Sequence, residues 1–217
     1  MSSTTPVNGS TKDDLVQVAR RLFSEQGYAT TSLDAVVAGA RVTKGALYHH
    51  FDGKRDLFRA VHADVEAEAV RRIDAAAGLE TDPWAAAQSG LRAFLEIARE
   101  PSYRRLIIQD GPAVLGIAHT EASARTTYTS VRRLVAAALG AGVWSVPEAL
   151  VETFGRIVFG ALSSAGARVA TSQDPGAEAS QVELAVGLLI AALRRVSTEH
   201  DSLEDAVAAI SAPGLTS

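Results

Sequence analysis

Apolar residues recur every three or four positions almost throughout this chain, and runs that alternate every second residue are nearly absent. Leu15, Val18, Ala19, Leu22 and Phe23 form one stripe of an amphipathic helix, which Gly27 stops. Leu33, Val36, Val37 and Ala40 repeat the stripe in a shorter helix with Ser32 as its N-cap. A third short helix is expected from Thr43, another cap candidate, to about Phe51, with Asp52-Gly53 as the turn after it. From Lys54 the spacing of Leu57, Phe58, Val61 and Val65 starts a long helix that runs to about Gly78. Further on, the pattern predicts helices over 83–99, 102–109, 112–139, 148–170 and 177–199. Pro83, Pro101, Pro147 and Asp174-Pro175-Gly176 are the punctuation.

The expected fold is therefore all-α, a small three-helix N-terminal unit followed by a larger C-terminal helical bundle. Three short helices hold too little core to stand firmly alone, so the fourth must lean on them and tie them to the rest of the chain. The boundaries read from the pattern are a polar lead-in at 1–11, an N-terminal domain at 12–58, a C-terminal domain at 59–200 and a tail at 201–217.

Composition supports ordinary globular packing: 217 residues, 47 % apolar and 21 % charged, suffice for one large core or two small ones. No apolar run approaches the roughly 18 residues that suggest a membrane span. The first residues, MSSTTPVNGSTKDD, lack a basic-then-apolar signal region. The absence of cysteine removes disulfides, thiolate nucleophiles and cysteine zinc sites together. These features point to a cytoplasmic protein with no membrane association.

Charge changes the picture. The net of −4 hides an N-terminal quarter in which residues 1–60 carry eight Lys and Arg against six Asp and Glu, while the remainder is acidic. Five of those eight cations fall between Arg41 and Arg59, which hints at a polyanionic partner. That interval contains VTKGALYHHFDGKRDLF, residues 42–58, where two histidines, a tyrosine and a lysine crowd one short helix.

Three chemistries could use such a cluster. A helical zinc pair needs ligands at i and i+4, whereas His49 and His50 are adjacent and point roughly 100° apart. The segment has no carboxylate at ligand spacing, so no metal is expected. No nucleophile elbow or phosphate loop occurs either: GALSSAG at 160–166 lacks the required spacing and the preceding strand, so no catalytic residue and no cofactor are expected. A polyanion fits best. Leu47 and Phe51 continue the apolar face begun by Val42, whereas Lys44 and Tyr48 are rotated away from it with Thr43 and His49 beside them. Gly45 and Ala46 add minimal bulk at the front of the helix, allowing close approach to a surface. A major groove admits one such α-helix. Thr31 and Ser32 at the second helix start, and Lys54 and Arg55 at the fourth, would then flank the groove as phosphate clamps.

The stretch LFSEQGYATTSLDAVVAGARVTKGALYHHFDGKRDLF, residues 22–58, resembles the helix-turn-helix domain of TetR-family transcriptional regulators. The matching elements are LF, GY, TTS, the apolar helix after them, VTKGALYHHF and the Lys and Leu-Phe of KRDLF, in the family's order and spacing. The resemblance implies a homodimer that binds double-stranded DNA at a palindromic operator, acts as a repressor, and is released by a small-molecule effector. Carried over by position, it puts Thr43 and Lys44 at the opening of the recognition helix, Tyr48, His49 and His50 at backbone and bases, and Lys54 at a phosphate. Lys44 is the candidate for a base edge, guanine by preference. One departure stands out. Many members have glycine just before the valine of the third helix, where this chain has Arg41. If that turn needs a positive φ, arginine costs about 1 kcal/mol there, unless Gly39 absorbs the bend. Arg41 is also a candidate phosphate contact.

The C-terminal helices carry two long stripes, Phe154, Ile157, Val158, Ala161 and Leu162 on one and Leu184, Leu188, Leu189 and Leu193 on the other. The resemblance assigns them to a four-helix dimer interface, although intrachain core explains them equally well. Arg104, Asp110, His119, Tyr128 and Trp144 are candidate effector contacts, as polar or aromatic residues amid aliphatic helices. The competing reading is a small-molecule-binding or enzymatic bundle whose N-terminal helices do not read DNA.

Overall fold

The computed structural model describes residues 11–200 apart from 143 and 144, together with residues 202, 204, 205 and 208. Over 117–124 it describes the backbone alone. The expected lead-in, most of the tail, Trp144 and the His119 side chain therefore lie outside the described residues. The elements in chain order are α1 (Thr11–Gln26), α2 (Leu33–Ala40), α3 (Lys44–His50), α4 (Lys54–Ala77), α5 (Pro83–Ala98), α6 (Pro101–Tyr103), a π-helical stretch (Arg104–Asp110), α7 (Gly111–Leu115), α8 (Ile117–Leu139), α9 (Glu148–Thr171) and α10 (Pro175–Glu199). Among the described residues there is no strand, as the periodicity predicts.

The caps form where the side chains can make them. Ser32 Oγ accepts from the Ala35 N–H at 3.1 Å and Thr43 Oγ1 from the Ala46 N–H at 3.2 Å, so both short helices start with one of their orphan donors satisfied. Asp82 and Asp174 do the same for α5 and α10, each with a proline next in line. Pro147 is the N-cap of α9.

Two expected helices are divided. The interval 102–109 holds one α-turn and then the π-helical stretch, and the helix expected over 112–139 breaks at Gly116. Gly116 adopts φ 88°, a left-handed conformation open to glycine at no steric cost, and its N–H closes α7 on the Pro112 carbonyl. α10 also differs from expectation. An 18-residue window of it reaches a mean hydropathy of 1.4, so by length and composition this one helix could cross a membrane.

The chain divides into two compact units, residues up to Ala67 with Pro101–Ser123, and Glu68–Glu100 with residues from Ala124 onward. The first extends the N-terminal domain read from the pattern, both into α4 and across to a distant segment. Its core joins Leu15, Ala19, Leu22 and Phe23 of α1 to Val36 of α2, to Leu47 of α3 and Phe51 just beyond it, to Leu57, Phe58 and Val61 of α4, and to Leu106 and Leu115. Burying each of these larger side chains contributes about 1.5–3 kcal/mol, more than three short helices could gather alone. Phe23, Tyr28 and Phe58 form an aromatic triad with centroids 5.1–5.7 Å apart. The Asp110 carboxylate accepts the Tyr28 N–H at 2.9 Å, pinning the π-helical stretch to the end of α1.

In the second unit α5, α9 and α10 pack together through Leu91, Leu95, Ala98, Val169 and Ala179. A Cβ at Gly166 would collide with the edge of the Phe94 ring, so glycine lets α9 approach α5 closely there.

Candidate nucleic-acid interface

α3 has one wholly buried face and one open face. Leu47 is 0 % exposed and Phe51 4 %, while Thr43, Lys44, Gly45, Tyr48, His49 and His50 are all exposed, Tyr48 by 55 %. The seven-residue helix is thus fastened from behind and free in front. Its two histidine rings pack edge-on at 5.0 Å, and His50 in turn meets Phe51 at 6.4 Å. A Cβ at Gly45 would touch nothing nearer than Thr43 Oγ1 at 3.8 Å, leaving the front of the helix open to close approach.

The turn before α3 is built on Arg41. It lies at φ 55°, ψ 37°, the left-handed conformation that glycine takes at lowest cost. Its N–H reaches the Ala38 carbonyl and that of Val42 reaches Val37, both at 3.2 Å, which closes α2 and redirects the chain into α3. Gly39 does not absorb the bend. It sits where α2 crosses α1. The Arg41 side chain is exposed.

Lys44 is paired across the turn. Its Nζ lies 2.7 Å from Asp34 Oδ1 on α2, and that carboxylate raises the ammonium pKa above its ordinary value, through the hydrogen bond first and then through charge. Sequence reasoning misses Asp34. The available signal is a carboxylate in the first turn of the helix that precedes the lysine.

Lys54 and Arg55 have separate fates. Lys54 Nζ donates to the Ala29 carbonyl at 3.1 Å and stands 4.5 Å from the Tyr28 ring centroid, and partial burial lowers its pKa. Two of its three donors remain for a phosphate. Arg55 Nε and Nη2 donate to the Val114 and Leu115 carbonyls at 3.0 and 3.3 Å, so its guanidinium holds the end of α7. Arg55 remains exposed, so the tie to α7 engages only part of the guanidinium expected as a clamp.

The structure corrects the reading of Thr31. It is only 2 % exposed, and its hydroxyl donates to Gly27 O at 2.8 Å and Leu22 O at 3.2 Å. Its side chain offers nothing to a phosphate and instead fixes the α1–α2 junction. Ser32, by contrast, is exposed at the start of α2.

Three of the effector candidates, Arg104, Asp110 and Tyr128, have described side chains. Arg104 and Asp110 belong to the first unit, where Asp110 is committed to Tyr28; Tyr128 belongs to the second, edge-on to Phe159 at 5.7 Å. A groove of about 470 Å³ beside α5 and α10 is lined by Gln88, Ser180, Glu183, Leu184, Gly187, Leu188 and Ala191, none of them a candidate effector contact. Of the stripe residues, Ile157, Leu184, Leu188 and Leu189 are 63–77 % exposed, and Ala161 is exposed as well. Phe154, Val158 and Leu193 are half-buried, and Leu162 packs against the intrachain core.

A helix fastened by its apolar face behind a tight turn, with a basic and aromatic face in front, defines a helix-turn-helix protein. Comparison with known proteins agrees. The family model described as bacterial regulatory proteins, tetR family, matches residues 15–61, and that described as tetracyclin repressor-like, C-terminal domain, matches residues 84–193. The Transposon Tn10 TetC protein of Escherichia coli is 34 % identical over 110 residues, 49 % of this chain and 54 % of its own length. The HTH-type transcriptional regulator AcrR of Shigella flexneri is 47 % identical over 51 residues, 24 % of each chain. The chain thus spans about half the length, or less, of these curated relatives. The crystal structure of a TetR-family transcriptional regulator from Pectobacterium atrosepticum is 36 % identical with a TM-score of 0.73, covering 84 % of this chain and 93 % of that one. The protein belongs to the tetR family of bacterial regulatory proteins.

Proposed function

We propose that the protein is a cytoplasmic, homodimeric repressor that reads a palindromic operator through α3 and is released by a small-molecule effector. The observation that carries this reading is the division of α3, with Leu47 wholly buried and six neighbours exposed as one polar, basic and aromatic face. Lys44 reads a base edge, Gly45 allows the approach, and Ser32, Arg41, Thr43, Tyr48, His49, His50 and Lys54 meet mainly phosphates.

Two recognition helices must span half-sites about 34 Å apart, which requires a dimer. Four large aliphatic side chains exposed on α9 and α10 support a second copy as the occupant of that face. The effector belongs to the C-terminal helices, with Tyr128 as a candidate anchor. Its binding favours a spacing of the two N-terminal units that no longer fits both half-sites. Because α4 begins in the unit that carries α3 and ends in the other, it is the route for that shift.

The test is selection of duplexes from a random library by the purified protein at two salt concentrations. A palindromic site is expected, with affinity falling roughly 10³- to 10⁵-fold between 50 and 200 mM salt for 6–10 phosphate contacts. Lys44→Ala should lose discrimination, while Lys54→Ala should weaken binding to every sequence. Failure to enrich any site overturns the reading.

A further inference from the structure

We propose that Asp34 is a specificity-determining residue, which holds Lys44 for the base edges and keeps it from the phosphate backbone. The inference rests on the proposed DNA reading and deepens it.

An exposed carboxylate is out of place on a surface meant for a polyanion. Asp34 is nevertheless 72 % exposed at its side chain, in the first turn of α2, with its Oδ1 2.7 Å from Lys44 Nζ on α3. A first-turn carboxylate suits the helix dipole, but that does not require a lysine beside it, and the exposed ion pair itself contributes little. A lysine is a point charge on a flexible four-carbon stem, and left to itself it turns to whichever phosphate is nearest. Phosphate contacts carry no sequence information and dominate binding to random DNA. Tied to Asp34, Lys44 spends one of its three donors on the carboxylate and keeps two for acceptors in front of α3. The guanine O6 and N7 pair offers two such acceptors. The paired charges also cancel toward random backbone, so the tie lowers non-specific affinity while leaving the base contact intact.

The test uses the full chain as wild type, Asp34→Asn, Lys44→Ala and the double variant, on a selected operator and on random duplex. Asparagine keeps the size of the side chain and leaves the Ser32 cap in place, and matched thermal melts confirm folding. Asp34→Asn is expected to tighten binding to random duplex by about 3- to 10-fold. Its salt slope there should steepen by about one phosphate equivalent, roughly 0.9. The operator-to-random ratio should fall by a similar factor, and this fall should vanish in the Lys44→Ala background.

An unchanged ratio, equal weakening on both duplexes, or a loss of operator affinity alone would each overturn the proposal, the last by making Asp34 a base contact itself. A ratio that falls equally with and without Lys44 also overturns it, because the effect would then be general charge. If the wild type selects no operator at all, the DNA reading has failed and takes this inference with it. Selection by the wild type with an indifferent Asp34→Asn isolates the failure to Asp34.

Discussion

A Cβ placed on Gly39 would lie 2.7 Å from Val18 Cγ1, so α2 rests on α1 at a separation that no other residue allows without movement. Valine in a helix holds one preferred χ1, which leaves it little freedom to turn aside. Gly39→Ala should therefore destabilise the protein by about 1–2 kcal/mol, overpacking outweighing the better helix propensity of alanine. Urea unfolding of Gly39→Ala, Val18→Ala and the double variant checks this. The double variant should recover most of the loss, and strict additivity would show that the two residues do not meet.

Arg41 in the left-handed conformation costs about 1 kcal/mol relative to glycine. Arg41→Gly is expected to raise the urea midpoint accordingly. The same variant reports on DNA separately: if the guanidinium touches a phosphate, the salt slope of binding falls by about 0.9 while stability rises.

Thr31→Val keeps the shape and removes the hydroxyl that donates to Gly27 O and Leu22 O. A loss of about 1–2 kcal/mol in stability is expected. Operator affinity of the folded variant should stay within about twofold of wild type, an amount worth under roughly 0.5 kcal/mol. Lost affinity at full stability would return Thr31 to the interface.

Tyr103 packs against the core of the first unit, and its hydroxyl pKa is pushed up to about 12, by burial first and by the Glu66 carboxylate second. Because the folded pKa lies above the unfolded one, near 10, this group's contribution is fully present below pH 10 and is lost as pH rises toward 12. The alkaline loss should amount to about 2 kcal/mol and should shrink in Tyr103→Phe. Urea midpoints across that window, with phenolate absorbance as the titration signal, supply the measurement.

The helices and the α3 face were legible in the sequence because each is set by local chemistry. Periodicity of 3.6 marks the buried stripe, Ser32 and Thr43 cap the helices they precede, and Leu47 and Phe51 fix which side of α3 faces inward. The family's pattern before Val42 raised the question of how the chain turns there. The observed φ of Arg41 answers it, since a non-glycine residue bears the strain when the packing around the turn demands it.

What the sequence could not give depends on residues far apart in it. Thr31 and Arg55 carry groups suited to phosphate, yet their partners are Leu22 and Gly27 for one and Val114 and Leu115 for the other. Whether a donor faces solvent or a backbone carbonyl is decided by which segment packs beside it. The same holds for residues 101–115, whose periodicity predicts helix but not the break at Gly116 or the core shared with α1 and α4. It holds for Asp34, whose pairing with Lys44 needs α2 and α3 to be brought together by the turn. The sequence by itself determined the elements, their caps and the identity of the exposed face of α3, because these are set within a few residues by helix geometry and solvation. Tertiary structure alone decided which polar groups on that face remain free, because a hydrogen bond or ion pair is fixed by distances across the fold.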